Sequence, residues 1–188
     1  MLFRSVFSRR LARIAAELLG TAGVRLYHDQ ALYKEGGGGF TPWHVDQQYW
    51  PLATDKTITA WVPLQETPRE MGALCFAAKS HHFEEYRHLS ISDESERRIQ
   101  QAMDTRQFGY VEEPFDLGEV SYHTGWTYHR AGPNTSGDPR RVMTVIYMDR
   151  DMRIADSVKK PADWEAFLDK KPDGAICNGP LNPVLWEE

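Results

Sequence analysis

Apolar positions along this chain first recur with a helical period and then alternate. Leu11, Ile14, Ala15, Leu18 and Leu19 return at steps of three and four, with Val6, Arg10, Arg13 and Glu17 on the other side. That spacing predicts an amphipathic helix over residues 1–19, stopped by Gly20. Arg4, Arg9, Arg10 and Arg13 all precede the first acid, Glu17, a bias that transit peptides share; the apolar stripe favours a native helix. Beyond Gly20 short β-like runs take over: 24–33, 43–50 at least at its start, 57–64 (TITAWVPL), 72–78, 108–111, 119–124 and 141–148. Residues 34–39 carry four consecutive glycines and read as a mobile loop. No Lys-Ser or Lys-Thr pair follows them, so a phosphate cradle is a poor reading. Residues 82–103 are polar and charged and predict an exposed helix standing off the core. Residues 151–188 form a tail with one helix around 163–168. Short strands with little helix between them predict a mostly β protein, a barrel or sandwich with helices packed outside. No repeat or linker divides the 188 residues, so one domain spanning 1–188 is expected.

Composition removes several function classes. A net charge of −5 argues against a nucleic-acid partner, and no apolar run approaches the roughly 20 residues of a membrane span. Cys75 and Cys177 stand far apart without finger spacing, so neither a disulfide framework nor a structural zinc site is expected, and a cytoplasmic, reducing location is.

The candidate chemistry lies in two segments. In TPWHVDQQYW, His44 and Asp46 are two residues apart, so on a strand both side chains share a face. Alone this pair is weak evidence, because such triplets arise by chance. His129 ends a second β-like run just before AGPNTSGDPRR. A second imidazole on a neighbouring strand would complete two histidines and one carboxylate, an open facial set suited to iron(II) and oxygen chemistry. Arg140, at the start of the next strand, offers a planar fork for a carboxylate. Read alone, Arg140 or Arg141 is better taken as a surface residue after a turn.

Together YHDQALYKEGG, PWHVDQQYW, TITAWVPL, the His129 run with its AGPN turn, Arg140 and the closing NPVLW resemble the phytanoyl-CoA dioxygenase family of iron(II)- and 2-oxoglutarate-dependent oxygenases, in the family's order over most of residues 11–186. The resemblance implies a double-stranded β-helix, or jelly-roll, core of cupin type. It implies His44, Asp46 and His129 as iron ligands and Arg140 as partner of the far carboxylate of 2-oxoglutarate. Gln30 and Lys34 match polar positions that help hold the cosubstrate, Trp61 lies on a strand lining that pocket, and Trp50 matches a substrate-pocket position; core packing is the plain alternative for both tryptophans. The implied reaction uses O2 to hydroxylate a C–H bond of a small organic substrate, with succinate and CO2 released. Related halogenases lack the carboxylate that Asp46 supplies here.

Two departures qualify the match. The family places more chain before the segment matching Leu11, so either a minimal version or a fragment lacking an N-terminal portion is expected. The turn that usually ends Pro-Gly-Ser-His reads AAKSHH here. His81 and His82 are not assigned to the metal, and His28, His88 and His123 are read as structural. Two rivals stay open: a cupin-like metal hydrolase or isomerase, and a non-catalytic homologue that binds metal or a small carboxylate.

Overall fold

The computed structural model describes residues 2–156 and 162–188. Its elements are α1 (Leu2–Val6), α2 (Arg9–Leu19), β1 (Gly23–Lys34), β2 (Thr41–His44), β3 (Thr57–Pro63), β4 (Leu74–Ala77), α3 (Asp93–Thr105), β5 (Tyr110–Val111), β6 (Ser121–Thr124), β7 (His129–Ala131), β8 (Arg140–Asp149), α4 (Ala162–Phe167) and β9 (Val184–Glu187). Among the described residues the strands form a larger sheet in the order β6-β3-β8-β1-β9 and a smaller one in the order β2-β7-β4-β5. Every strand pairing is antiparallel. The mostly β expectation therefore stands, with helices on the outer faces.

Alternation decides what each sheet face carries. On β3, Ile58, Ala60 and Val62 face outward and pack under α2 with Met143, Val145 and Tyr147 of β8. The intervening Thr59 and Trp61 turn inward to a cavity between the sheets. β1 needs a correction of phase to do the same. Val24 and Leu26 belong to the α2 side, and strict alternation would send His28 there too. Instead Leu26 pairs with Tyr147 while His28 pairs with Ile146, so Tyr27 is an extra residue in the ladder. That bulge turns His28, Gln30, Leu32 and Lys34 toward the cavity.

The helices differ from expectation in instructive ways. The N-terminal segment is two helices rather than one. The chain breaks at Ser8, whose hydroxyl accepts from the Leu11 amide and caps α2, and Gly20 ends α2 in the left-handed conformation (φ 63°). The face packed on the sheet centres on Ala12, Ala15 and Ala16, whose small side chains let the helix sit close; Leu18 points to solvent and Val6 is buried. Helix α3 is shorter than the expected 82–103, because residues 83–92 form turns and extended chain, and it is no excursion. Ser92 and Ser95 make a capping box, while Ile99 and Met103 are fully buried with Trp43, Val45, Cys75 and Tyr128 behind the smaller sheet. Two apolar side chains a turn apart are a narrow stripe in an otherwise charged sequence. The tail contains α4 near its expected place and also β9, which pairs with β1. Cys75 and Cys177 are both free and buried. No helix among the described residues is long and apolar enough to cross a membrane.

Candidate metal centre

His44 and His129 are directly opposed on β2 and β7, the pair of strands that heads the smaller sheet, and their ring centroids lie 4.2 Å apart. Each ring is fixed in the same way. Nδ1 of His44 lies 2.7 Å from the Pro42 carbonyl, and Nδ1 of His129 lies 3.0 Å from the Thr127 carbonyl. A carbonyl only accepts, so both Nδ1 atoms carry the proton and both Nε2 lone pairs are free to face the cavity. Asp46 reaches the same spot by a route that alternation did not foresee. It lies beyond β2, with helical backbone angles (φ −76°, ψ −39°), at the head of a 3-10 turn over Gln47–Tyr49. Its Oδ1 is 3.6 Å from His44 Nε2 and 3.7 Å from His129 Nε2. One ligand atom from each of the three residues lies within 4.8 Å of the others.

Protonation suits a cation. Burial, with the neighbouring imidazole, lowers both histidines to about 4. Burial pushes the Asp46 carboxyl up, but the facing His129, His123 and His44 pull it further down, so it ends well below the ordinary carboxylate range. At neutral pH the set is two neutral imidazoles and one carboxylate, the form in which all three bind metal.

The smaller sheet is braced from behind. Glu96 of α3 accepts from the Trp43 amide at 2.8 Å and from Arg130 Nη1 at 2.6 Å, so a single carboxylate ties the residue before His44 to the residue after His129. Ser80, retained in the AAKSHH segment, accepts from the Tyr128 amide at 2.9 Å. His81 and His82 are exposed beyond it, and His88 is exposed as well.

The cavity encloses about 570 Å³, within the usual range for small-molecule sites. All eight candidate residues line it: His44, Asp46 and His129, with Gln30, Lys34, Trp50, Trp61 and Arg140. Lys34 and Arg140 are register partners at the ends of β1 and β8, so their cations stand side by side. Arg140 is 5% exposed, donates to the Gly72 carbonyl, and lies over the Trp61 ring at 5.4 Å. Its Nε and the Trp61 indole N–H are buried without partners. Lys34 Nζ donates to the Gly132 carbonyl at 2.6 Å. Burial lowers Arg140 to about 10, and burial with the Arg140 charge lowers Lys34 to about 8. Among the described residues neither cation has an acidic partner within salt-bridge distance. Gly72 and Gly132 pack so closely that a side chain on Gly72, already at φ 77°, would strike the Gly132 carbonyl. Asn134 of the AGPN turn is fully buried and donates to the Lys34 and Asp138 carbonyls, fastening the turn to the end of β1.

Several cavity residues escaped the sequence reading. Thr59 Oγ1 donates to Asp46 Oδ2 at 3.4 Å, and His123 Nε2 lies 3.4 Å from the same oxygen. His28 lines the cavity near Asp163 (Nε2–Oδ2 3.9 Å) and stacks on Phe167. His28 and His123 were expected to be structural, but both face the cavity. The signal was present in alternation: Tyr122 and Ala60 face α2, so their neighbours His123 and Thr59 face inward.

The donor set and the paired cations define a class first: an antiparallel β protein with room for a single metal ion beside an anion-binding cavity end. The chain belongs to the phytanoyl-CoA dioxygenase family, whose model matches residues 2–142. A curated relative, the probable alpha-ketoglutarate-dependent hypophosphite dioxygenase of Stutzerimonas stutzeri, is 26% identical over 169 residues, covering 87% of this chain; the chain spans 58% of that relative's length. Among solved structures, the non-heme alpha-ketoglutarate-dependent carbocyclase SnoK of nogalamycin biosynthesis is 27% identical, with a TM-score of 0.78 over 95% of this chain and 68% of that one. The epimerase SnoN, in complex with Fe3+, alpha-ketoglutarate and nogalamycin RO, is 26% identical, with a TM-score of 0.77 over 97% of this chain and 73% of that one.

Proposed function

We propose that this chain is an iron(II)- and 2-oxoglutarate-dependent oxygenase that hydroxylates a C–H bond of a small organic substrate, on a jelly-roll core made by its two facing sheets. The observation that carries the reading is the shared cavity: a two-histidine, one-carboxylate donor set and, at the cavity's end, a pair of uncompensated cations. His44, Asp46 and His129 would hold iron(II). Arg140 and Lys34 would bind the far carboxylate of 2-oxoglutarate, with the unpartnered Arg140 Nε available as one donor. Gln30 and Trp61 flank that end of the cavity, and Trp50 lines the substrate's part of it.

Bound iron(II), with 2-oxoglutarate and O2, supplies the oxidation: the keto acid loses CO2 to give succinate, and one oxygen atom enters the substrate. The chain's own residues do the rest. The Pro42 and Thr127 carbonyls keep the imidazole lone pairs turned inward. The cationic pair orients the dicarboxylate, and Trp61, Leu32 and Ile146 exclude water along the wall. The mononuclear, open donor set supports oxygen chemistry over a closed structural metal site. The Arg140–Lys34 pair supports 2-oxoglutarate over a metal hydrolase, which has no use for a dicarboxylate clamp.

The test is an anaerobic titration with iron(II) and 2-oxoglutarate followed by a succinate-release screen across substrate classes. A visible charge-transfer band and substrate-linked succinate are expected, both lost in Asp46→Ala. A band without turnover on any substrate supports a binding homologue; full turnover by the Asp46→Ala variant sinks the ligand assignment.

A further inference from the structure

The two oxygens of Asp46 live in different surroundings. Oδ1 faces both ligand imidazoles, at 3.6 and 3.7 Å. Oδ2 faces the wall of the larger sheet, where Thr59 Oγ1 and His123 Nε2 each approach to 3.4 Å. Thr59 and His123 are direct register partners on β3 and β6, so one inward row of the sheet presents a hydroxyl and an imidazole to one carboxylate oxygen. His123 is 6% exposed and held between the rings of Phe76 (5.3 Å) and His129 (4.4 Å). Its Nε2 is directed at that Asp46 oxygen and helps hold the carboxylate in its charged form, while its Nδ1 has no hydrogen-bond partner among the described residues. A buried, unsatisfied polar group is destabilising, so its placement beside Asp46 calls for a reason other than packing.

We propose that His123 and Thr59 are positioning residues that occupy Oδ2 and make Asp46 a one-oxygen ligand. The inference rests on the metal-site reading above. A carboxylate is free to grip a metal with both oxygens. Two imidazoles and one carboxylate oxygen leave three open positions, as a chelating keto acid and O2 together require. A second Asp46 oxygen on the metal would take one of them. Holding Oδ2 on the β3–β6 row prevents that, and it explains why a buried imidazole is placed where it touches Asp46 rather than an apolar side chain.

The experiment titrates anaerobic, metal-free protein with cobalt(II), reading affinity by calorimetry and coordination by the visible absorption bands, and then adds 2-oxoglutarate. Removal of an outer partner of a metal ligand lowers affinity by about 10- to 100-fold. His123→Ala and the isosteric Thr59→Val are each expected to fall in that range, to change the cobalt bands, and to weaken 2-oxoglutarate binding to the loaded protein. His123→Gln, which restores an N–H near the Nε2 position, is expected to recover most of the loss. Thr59→Val preserves shape, so it keeps the test valid if His123→Ala unfolds. Wild-type affinity and spectrum in both His123→Ala and Thr59→Val overturn the inference while leaving the metal site standing. A loss in His123→Ala as complete as in His44→Ala, without rescue by Gln, overturns it in favour of His123 as a fourth ligand. Wild-type protein that binds no cobalt defeats the metal-site reading, and this inference falls with it.

Discussion

Replacing Arg140 by Met should separate a binding residue from a structural one, because the first role predicts little change in stability and the second a large loss. In the unliganded protein the guanidinium is 5% exposed and has no acidic partner, and burial alone lowers its pKa from 12.5 to about 10. At about 1.4 kcal/mol per unit, keeping the charge there costs roughly 3 kcal/mol. Against this stand a charged hydrogen bond to the Gly72 carbonyl, worth about 1.5–3 kcal/mol, and the Trp61 ring at 5.4 Å, worth about 1 kcal/mol. The sum is close to zero. Met keeps the length and apolar stem, so urea unfolding of the unliganded variant should match wild type to within about 1 kcal/mol. Cosubstrate binding should respond very differently. Two charge-assisted bonds to a carboxylate amount to about 3–6 kcal/mol, a loss of roughly 10²- to 10⁴-fold in 2-oxoglutarate affinity, measured by calorimetry on manganese-loaded protein without oxygen. Wild type should gain about 2.7 kcal/mol of stability at 2-oxoglutarate concentrations one hundred times its Kd, and the variant at the same concentration should gain less than about 0.5 kcal/mol. A variant destabilised by more than about 3 kcal/mol that still binds 2-oxoglutarate normally would refute the assignment.

Lys34 gives the cavity a pH dependence of definite sign. Its folded pKa of about 8 lies below its ordinary 10.5, so the cation is present below pH 8 and lost above it. Affinity for 2-oxoglutarate should therefore weaken by up to about tenfold per pH unit above 8, and Lys34→Arg should flatten the profile; a flat wild-type profile from pH 7 to 9.5 rules this out. The unliganded fold should move the other way, gaining stability from pH 8 to 10.5, because there the unfolded chain binds the extra proton. Gly125 backs the turn that carries Asp46: a Cβ there would lie 2.5 Å from Gln47 Oε1, 2.6 Å from Thr57 Oγ1 and 3.0 Å from the Trp50 ring. Gly125→Ala should cost about 1–3 kcal/mol in denaturant unfolding and weaken metal binding as the Gln47–Tyr49 turn shifts; unchanged values for both would show that the turn yields freely.

Local pattern carried much of the fold into view. TITAWVPL announces a strand with one apolar face and one mixed face, and β3 is built that way. Ser8, Gly20 and the run of small residues between them contain α2, although the break before Ser8 is visible only as a capping signal. The His44–Asp46 pair shows where sequence reasoning arrives at the right place for an incomplete reason: alternation along one strand predicted convergence, whereas a helical turn at Asp46 provides it. The relations that make the site are long-range. That Lys34 stands opposite Arg140 depends on the register of two strands more than 100 residues apart in sequence. That Glu96 braces both ligand strands depends on α3 packing behind them, and a glutamate in the first turn of a charged helix looks in sequence like a solvated dipole partner. His123 was legible in principle, given the phase of β6 relative to its neighbour.

The extra residue at Tyr27 acts as a frame shift written into one strand. Upstream of it β1 spells its inward and outward letters in the frame that suits the helix-covered core; downstream it spells them in the frame that suits the cavity. Deleting one residue there would restore a regular ladder and scramble the message, turning Gln30 and Lys34 out to the solvent-facing side of the sheet and delivering Asp29 and Ala31 to the chamber. The chain's chemistry thus hangs on an irregularity that no single side chain encodes, and length at that point of β1 should tolerate far less variation than identity.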